Sequence, residues 1–199
     1  METISLFGAG GHGRVVREVI TAMGNEVDCY YDDSPRTAEK DDLKVLRLED
    51  CRPAGKMIVS VGDNEIRRKV VERLNAEYAT AIHPTAVISP SAAIAEGTVV
   101  MAGAIVQAHA KIGRHCIINT CASVDHECEV GDFVHISPHA TLCGDIKVGE
   151  MSLIGAGAVV LSGVRIGKNC IVGAGGVVVR DLPDNTVVYG NHSMVTKDR

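Results

Sequence analysis

The residues best suited to chemistry are a histidine and its acidic neighbour, His126-Glu127. Five of the eight histidines fall between His109 and His139, and His126 is the one of them that precedes a carboxylate directly. A carboxylate beside an imidazole stabilises its protonated form, so this pair could act as a general base. Gly144 follows His126 by eighteen residues, and an unshielded glycine N–H can donate to a developing oxyanion. If the chain returns over itself every eighteen residues, these groups could together support acyl transfer.

Other histidines and cysteines allow different chemistry. His135 and His139 are four residues apart, and with one or two further ligands they could hold zinc, so a zinc hydratase is one alternative. Cys128 and Cys143 are potential nucleophiles, but neither has an evident base beside it, and we do not expect a covalent acyl-enzyme. We expect His115 and His139 to be solvated residues on an outer surface.

A glycine-rich turn near the N-terminus could bind a phosphate group. Residues 8–13 read GAGGHG; they follow an alternating stretch at 3–7 and precede a helical pattern at 14–23. A strand, a glycine turn and a helix in that order place backbone N–H groups and the positive end of the helix beside a bound anion. Asp32 and Asp33 close the next predicted strand, where nucleotide-binding sheets hold ribose hydroxyls.

The elements that must position these groups follow from a period of six residues. Every sixth residue from Ile82 to Val178 is aliphatic, over seventeen positions, and the residue two places before it is usually small. This period fits neither an α-helix nor a long strand and is typical of a hexapeptide solenoid. Three hexapeptides would form one triangular coil, and successive coils would stack as parallel strands roughly 4.8 Å apart. The small residues Cys116, Cys128 and Cys170 would then lie inside.

Composition excludes several classes of function. A net charge of −5 provides no basic surface for nucleic acid. No apolar run is long enough to cross a bilayer, and the N-terminus lacks a cleavable signal pattern, so we expect no membrane partner. Seven cysteines without CxxC pairs predict reduced thiols and a cytoplasmic protein.

The chain divides into three predicted segments. Residues 1–79 form a small parallel α/β domain, with a third strand at 57–61 that leads into a helix. This is about half of a full dinucleotide-binding fold, which favours a nucleotide sugar over NAD or FAD, while a turn without any ligand stays open. Residues 80–179 form the solenoid, and residues 180–199 break the hexad at Pro183 and would cover the open strand edge.

Four motifs resemble those of a known family. They are GAGGHG at 8–13, Asp32-Asp33, Gly62-Asp63-Asn64-Glu65-Ile66-Arg67, and the stretch from Asn119-Thr120 through His126-Glu127-Cys128 to His135 and Cys143-Gly144. Nearly end to end, the chain resembles the left-handed β-helix acetyltransferases of nucleotide-linked amino sugars. The UDP-4-amino-sugar N-acetyltransferases of bacillosamine synthesis represent this type. GDP-perosamine N-acetyltransferases and sialic acid O-acetyltransferases are similar, so the sugar, its carrier and an N or O acceptor stay open.

The resemblance implies a homotrimer with a small Rossmann-like N-terminal domain. Acetyl-CoA would lie between neighbouring solenoids, and no metal would be needed. The residue that matches His126 would be the general base, Glu127 would raise its basicity, and Gly144 would donate its N–H to the thioester oxygen. Contacts with acetyl-CoA are implied for His135, Gly144, Ala156 and Ala174, and contacts with the nucleotide sugar for Gly10, Gly11, His12, Asp32, Asp33 and Gly62. The remaining alternative is a solenoid that binds a sugar nucleotide without catalysis.

Overall fold

The computed structural model describes residues 2–48 and 55–190, together with the backbone of residues 194–198. The part of the predicted end segment at 191–193 lies outside the described residues. An α/β domain comes first and packs against a triangular prism of stacked coils. The predicted fold class, a Rossmann-like half domain followed by a hexapeptide β-helix, is confirmed.

The N-terminal domain is a five-stranded sheet with two helices. Its elements are β1 (Thr3–Phe7), α1 (Gly11–Ala22), β2 (Glu26–Tyr31), β3 (Glu39–Lys40), β4 (Leu43–Leu46), β5 (Lys56–Val59) and α2 (Asn64–Arg73). The strand order is β3-β4-β2-β1-β5, and β1 pairs in parallel with both β2 and β5. The short hairpin of β3 and β4 was not predicted, because its strands carry no clear alternating pattern.

The glycine turn leads directly into α1, as its sequence predicts. Gly10 is the N-cap, and the helix begins at Gly11, three residues earlier than the apolar pattern suggests. Gly13 must be a glycine, since a Cβ there would lie 2.2 Å from the Gly8 carbonyl oxygen. This close approach brings the start of the helix against the end of β1, and the first N–H groups of a helix have no acceptor within the helix itself.

The solenoid consists of short strands that recur every six residues. Between residues 81 and 178, all of which are described, these are β6 (Ala81–Ile82), β7 (Val87–Ile88), β8 (Ala93–Ile94), β9 (Val99–Val100), β10 (Ile105–Val106), β11 (Lys111–Ile112), β12 (Ile117–Ile118), β13 (Ser123–Val124), β14 (Glu129–Val130), β15 (His135–Ile136), β16 (Thr141–Leu142), β17 (Lys147–Val148), β18 (Leu153–Ile154), β19 (Val159–Val160), β20 (Arg165–Ile166), β21 (Ile171–Val172) and β22 (Val177–Val178). Each strand ends on one of the aliphatic positions of the predicted hexad.

Every third strand belongs to the same parallel sheet, so the prism has three faces. Face 1 contains β6, β9, β12, β15, β18 and β21; face 2 contains β7, β10, β13, β16, β19 and β22; face 3 contains β8, β11, β14, β17 and β20. Partners are eighteen residues apart, as in Ile118 with Ile136, which confirms the predicted coil length.

The turns between the strands form the three edges of the prism. Edge 1–2 includes residues 119–122, 137–140, 155–158 and 173–176; edge 2–3 includes residues 125–128 and 143–146; edge 3–1 includes residues 131–134, 149–152 and 167–170. Most turns contain one residue with a positive φ, and many of these are not glycine, for example Glu127 at 59° and Phe133 at 59°. Because this conformation recurs around the prism, it belongs to the repeat and does not mark one site.

The inside of the prism is apolar and includes cysteine side chains. Cys116, Cys128 and Cys170 are fully buried there, as predicted. His139 is exposed, also as predicted. The expectation that His115 is solvated was wrong, since only 3% of it is exposed. Its ring stacks on Phe133 and meets the edge of another aromatic ring, because the N-terminal domain covers this part of the solenoid.

The segment after residue 179 adds to face 1. β23 (Thr186–Tyr189) pairs in parallel with β21, and β24 (Met194–Asp198) then pairs with β23 in the antiparallel sense. Ile171 faces Val187 after sixteen residues, so the last coil is two residues shorter than the others. The break in the hexad therefore shortens a coil before the chain turns back.

The two domains share a core on face 1. Side chains of β1, β2, β5 and α1 pack with Ala81, Val99, Met101 and Ile117 of the solenoid. None of the helices in the described ranges is long and apolar enough to span a membrane.

Candidate functional site

The imidazole of His126 lies directly against the backbone of Gly144 on edge 2–3. A Cβ at Gly144 would be 2.5 Å from both Cε1 and Nε2 of His126, so a glycine is required for this contact. The neighbouring coil is held in register by Asp145 N–H, which donates to the His126 carbonyl oxygen at 2.9 Å. In the described part of the chain the Gly144 N–H has no acceptor. This arrangement leaves a backbone donor beside an imidazole.

Two carboxylates hold His126 in place. Nδ1 lies 3.3 Å from Glu127 Oε2, and the His126 N–H donates to Asp125 Oδ1 at 2.7 Å. With its proton on Nδ1, the ring presents an unprotonated Nε2 to an incoming acid. The side chains of His126 and Glu127 are 57% and 64% exposed. The edge therefore offers an exposed imidazole and an unpaired backbone N–H, and the rest of any reaction chamber would have to come from outside this edge.

His135 lies on face 1, against the N-terminal domain. Its Nε2 is 3.0 Å from Nδ2 of Asn119, whose Oδ1 accepts from Thr120 N–H at 2.8 Å. The Asn119 amide is thereby oriented to donate, so Nε2 of His135 is the acceptor and Nδ1 carries the proton. Burial, followed by the nearby charges of Arg67 and His12, lowers the pKa of His135 to about 4. His135 is therefore a neutral, oriented imidazole at physiological pH.

The glycine turn and Gly62 meet His135 at the domain junction. A Cβ on Gly10, Gly11 or Gly62 would meet no atom within 4 Å, so these positions are open to a ligand. Burial, and then Arg67, lowers the pKa of His12 to about 4, and its buried Nε2 has no partner among the described residues. His12 and the Gly62 backbone both act on the pKa of His135. Residues predicted to bind the sugar nucleotide thus adjoin a residue predicted to contact acetyl-CoA.

Asp32 and Asp33 both have partners within the chain. The two oxygens of Asp32 accept from Ala9 N–H at 3.1 Å and from Ser34 N–H at 2.9 Å, which ties the aspartate to the glycine turn. Asp33 forms an ion pair with Arg73 at 2.9 Å. Asp32 lies beside the turn, as the ribose hypothesis requires, and it also stabilises the loop that would hold the phosphates.

Lys40 is a neighbour of the same turn that the sequence did not reveal. Its ammonium donates to the carbonyl oxygens of Ala9 and Gly10. It arrives on the β3–β4 hairpin, which was not predicted either. Lys40 thus binds carbonyl groups of the glycine turn, while Asp32 binds the Ala9 N–H of the same turn.

Ala156 and Ala174 are exposed on edge 1–2, one coil apart. The Ala156 carbonyl oxygen accepts from Gly175 N–H at 2.8 Å, and within the described residues neither alanine N–H has an acceptor. Small side chains and unpaired N–H groups would suit an extended ligand along this edge. A separate cleft of about 380 Å³ lies beside Gly62, where Leu153 and Ile171 of face 1 form part of its floor.

The predicted site residues therefore fall into three groups within one chain. His126, Glu127 and Gly144 are on edge 2–3, and Ala156 and Ala174 are on edge 1–2. His135 and the predicted nucleotide-sugar residues gather over face 1. Edge 2–3 is opposite face 1 in a triangular prism, so one chain does not bring the base and the glycine turn together. Among residues 2–48 and 55–190, no group of three or more His, Cys, Asp or Glu side chains is placed to bind a metal.

Comparison with known families agrees with this architecture. Residues 3–74 match the family described as PglD N-terminal domain, and residues 145–180 match the bacterial transferase hexapeptide family (six repeats). The chain is 41% identical over 107 residues to a UDP-N-acetylbacillosamine N-acetyltransferase from Bacillus subtilis (strain 168). That match covers 48% of the chain and 50% of the relative, so it spans about half the length of this curated relative.

Two similar solved structures extend over nearly the whole chain. One is a mutant perosamine N-acetyltransferase from Caulobacter crescentus in complex with CoA and GDP-perosamine; it is 38% identical, with a TM-score of 0.93, over 100% of this chain and 98% of that one. The other is the acetyltransferase domain of PglB from Neisseria gonorrhoeae FA1090 in complex with acetyl coenzyme A; it is 39% identical, with a TM-score of 0.91, over 98% of both chains. The resemblance seen in the motifs is confirmed, and the chain belongs to the family of hexapeptide-repeat acetyltransferases that carry a PglD-type N-terminal domain.

Proposed function

We propose that this protein transfers an acetyl group from acetyl-CoA to the amino group of a nucleotide-linked amino sugar. The observation that carries the proposal is the contact of the His126 imidazole with the backbone of Gly144, with Glu127 on the far nitrogen of the ring. A base and a free backbone donor in contact are the two groups that acyl transfer to an amine requires.

The proposed reaction is a direct transfer between two bound substrates. The sugar amine attacks the thioester carbonyl carbon while His126 Nε2 accepts a proton from the nitrogen. The Gly144 N–H stabilises the negative charge on the carbonyl oxygen of the tetrahedral intermediate. The carbon–sulfur bond then breaks, and the CoA thiolate takes the proton from the imidazolium. Much of the acceleration comes from holding both substrates in one groove.

A UDP-4-amino-4,6-dideoxy sugar of the bacillosamine type is our first choice of substrate. Support comes from the match of residues 3–74 to the PglD N-terminal domain and from the curated Bacillus subtilis relative. GDP-perosamine is the second candidate, because the Caulobacter crescentus enzyme that carries it in its structure is similar over the full chain. Both are amino sugars on a nucleotide diphosphate, so the same glycine turn and base would serve either one.

We further propose a homotrimer with each active site between two chains. The three groups of predicted site residues lie on different sides of the prism. A neighbouring chain that places its edge 2–3 beside the face 1 and edge 1–2 of the first would unite them. Acetyl-CoA would then run along edge 1–2, past Ala156 and Ala174, to the Gly144 of the neighbour. We expect the enzyme in the cytoplasm, where free cysteines stay reduced.

The test is thiol release from acetyl-CoA by the purified protein. The panel of acceptors consists of a UDP-4-amino-4,6-dideoxy sugar, GDP-perosamine and sialic acid, which would be acetylated on a hydroxyl group. The product from each acceptor is analysed by mass spectrometry. We expect stoichiometric CoA release and an N-acetyl product with one of the two amino sugars. Product formed on the hydroxyl acceptor alone would contradict N-acetylation, and nucleotide binding without thiol release would favour the catalytically silent alternative. The sedimentation mass of the active species tests the trimer.

A further inference from the structure

The motif Gly62-Asp63-Asn64-Glu65-Ile66-Arg67 makes a set of contacts that none of the proposed substrate roles explains. Asp63 caps α2, since its Oδ1 accepts from Ile66 N–H at 2.8 Å. The first turn of the helix then directs Asn64 and Arg67 toward edge 3–1 of the solenoid. Arg67 is only 1% exposed and is among the largest fully buried side chains of the described residues. A buried arginine in this place requires an explanation.

Asn64 and Arg67 bind carbonyl oxygens of three successive coils, and Asn64 Nδ2 reaches Ser152 O at 3.1 Å as well as the Met151 carbonyl. Arg67 Nε donates to His115 O at 2.8 Å, Arg67 Nη2 to Phe133 O at 3.0 Å, and Asn64 Nδ2 to Met151 O at 3.1 Å. These acceptors are eighteen residues apart, and they share a left-handed backbone, with φ of 53°, 59° and 66°. The positive φ recurs at this point of each coil, so the solenoid presents a ladder of equivalent carbonyl groups along edge 3–1.

Arg67 also holds the loop that precedes the helix. Arg67 Nη1 donates to Val61 O at 2.8 Å and to Gly62 O at 3.2 Å. Arg67 Nη2 also donates to Asn64 Oδ1 at 2.7 Å, which orients the amide toward its own carbonyl acceptor. One guanidinium thus joins the Gly62 loop to two coils of the prism. We call Asn64, Arg67 and their carbonyl partners the interdomain clamp.

The clamp supplies directional contacts that the apolar core of the junction lacks. The shared core on face 1 is made of aliphatic side chains such as Ala81, Val99 and Ile117, and apolar contacts of this kind have no preferred direction. A slip of the N-terminal domain by one coil would move it about 4.8 Å along the prism. A slip by a full coil would offer the clamp equivalent carbonyl groups, so the side chains of the shared core, which differ from coil to coil, select the coil. On that coil the clamp fixes the height, because any smaller displacement takes the donors off their carbonyl groups and the arginine fork has a fixed geometry. Burial lowers the pKa of Arg67 to about 10, so it stays charged at neutral pH.

The height that the clamp sets decides which groups meet at the candidate site. In the observed position the Gly62 backbone and His12 adjoin His135. One coil further along, Gly62 would face Leu153 instead, since Leu153 follows His135 on face 1. We propose that Asn64 and Arg67 are positioning residues. They fix the height of the nucleotide-sugar-binding domain on the solenoid and so present the sugar amine to His126 and Gly144 of the neighbouring chain. This inference rests on the proposed function for its kinetic consequence.

The test compares Arg67→Lys and Asn64→Ala with Arg114→Lys as a matched control. Arg67→Lys keeps the charge and removes the fork, while Asn64→Ala removes the Met151 contact and leaves the Asp63 cap intact. Arg114 is exposed on the same side of the prism and pairs with Asp132, so Arg114→Lys tests an arginine-to-lysine change that does not touch the clamp.

We expect Arg67→Lys to raise the KM for the nucleotide sugar about tenfold, the effect of roughly one lost charged hydrogen bond. Asn64→Ala should raise it less, and the KM for acetyl-CoA should stay within about twofold of the wild type in both variants.

The two KM values separate positioning from simple stability. If both KM values and the kcat of the folded protein are unchanged while only Tm falls, or if both KM values rise equally, the positioning role is wrong. Should Arg67→Lys fail to fold, Asn64→Ala decides by the same two KM values.

If the wild type acetylates no nucleotide sugar, the proposed function fails and the clamp is judged by amide hydrogen exchange. We then expect faster exchange across residues 60–66 in Arg67→Lys and no change on face 2; equal exchange in wild type and variant would overturn the clamp.

Discussion

The histidines of edge 2–3 and those of the domain junction have opposite environments. His126 is more than half exposed, has a carboxylate on one ring nitrogen and leaves the other nitrogen free. His12, His115 and His135 lie at the junction, where burial is the main cause that lowers the pKa of each to about 4. The number of histidines in the solenoid is therefore a poor guide to its chemistry. Exposure, and a ring nitrogen without a hydrogen-bond partner among the described residues, distinguish the proposed base His126 from the histidines that lie between the two domains.

Replacement of His126 should have the largest effect of the changes considered, because His126 is the proposed general base. In His126→Asn we expect kcat to fall roughly 10²- to 10⁴-fold because the base is lost. The dissociation constant of acetyl-CoA should remain close to that of the wild type, since the ring is not needed to hold the thioester. Steady-state kinetics and calorimetry measure the two quantities. His83→Asn, which changes a histidine of the first coil that bonds Thr85 far from the proposed acetyl-CoA positions, serves as the control, and equal losses in both variants would remove His126 from its role.

Gly144→Ala tests the contact between the base and the backbone donor. The new Cβ would lie 2.5 Å from the His126 ring, so the ring must move away. We expect kcat to fall about 10²-fold, because a displacement of this size is enough to misalign a reacting group. The melting temperature should change little, since the displaced ring is exposed and can turn into solvent. Wild-type turnover in this variant would show that the ring does not act from the position that the structure gives it.

The junction histidines predict a loss of stability in mild acid. Their folded pKa values of about 4 lie below the ordinary value of 6.5, so the unfolded chain takes up protons first as the pH falls. Their contribution is fully present above pH 6.5 and is lost between pH 6.5 and about 4. Each pKa unit corresponds to about 1.4 kcal/mol. Denaturant unfolding at pH 7, 6 and 5 should show a shallower decline for His115→Leu than for the wild type, and parallel declines would contradict the assignment.

The smallest effect is expected on face 3, where charges are exposed. Glu129 lies between Lys111 at 3.8 Å and Lys147 at 3.1 Å, and all three side chains are close to half exposed or more. Glu129→Gln should change the free energy of unfolding by less than about 1 kcal/mol, and less still in high salt. Thermal melts at two salt concentrations measure this. A larger loss of unfolding free energy would mean that the row of Lys111, Glu129 and Lys147 is protected from water, for example by a neighbouring chain.

Much of the fold could be predicted because the repeat is strict. Every strand from β6 to β22 ends on the expected aliphatic residue, since each side of a narrow triangular coil holds one large inward side chain. The pairing of His126 with Gly144 followed from the same eighteen-residue period. The glycine turn was also predictable, because Gly13 stands where any side chain would collide with the chain itself.

The coil, its inner residues and the neighbours along each edge could therefore be read from the residues alone, because these depend on local period and residue size. The three-dimensional arrangement settled what packs on the outside of the prism. It buried His115, oriented His135 through Asn119 and placed Arg67 across carbonyl groups of two coils. These contacts join residues with no fixed sequence spacing. Many of the partners are backbone carbonyl oxygens, which every residue type has, so the sequence does not mark them. The repeat predicts a row of equivalent carbonyl groups along edge 3–1. Which part of the chain binds that row depends on how the N-terminal domain fits against the solenoid.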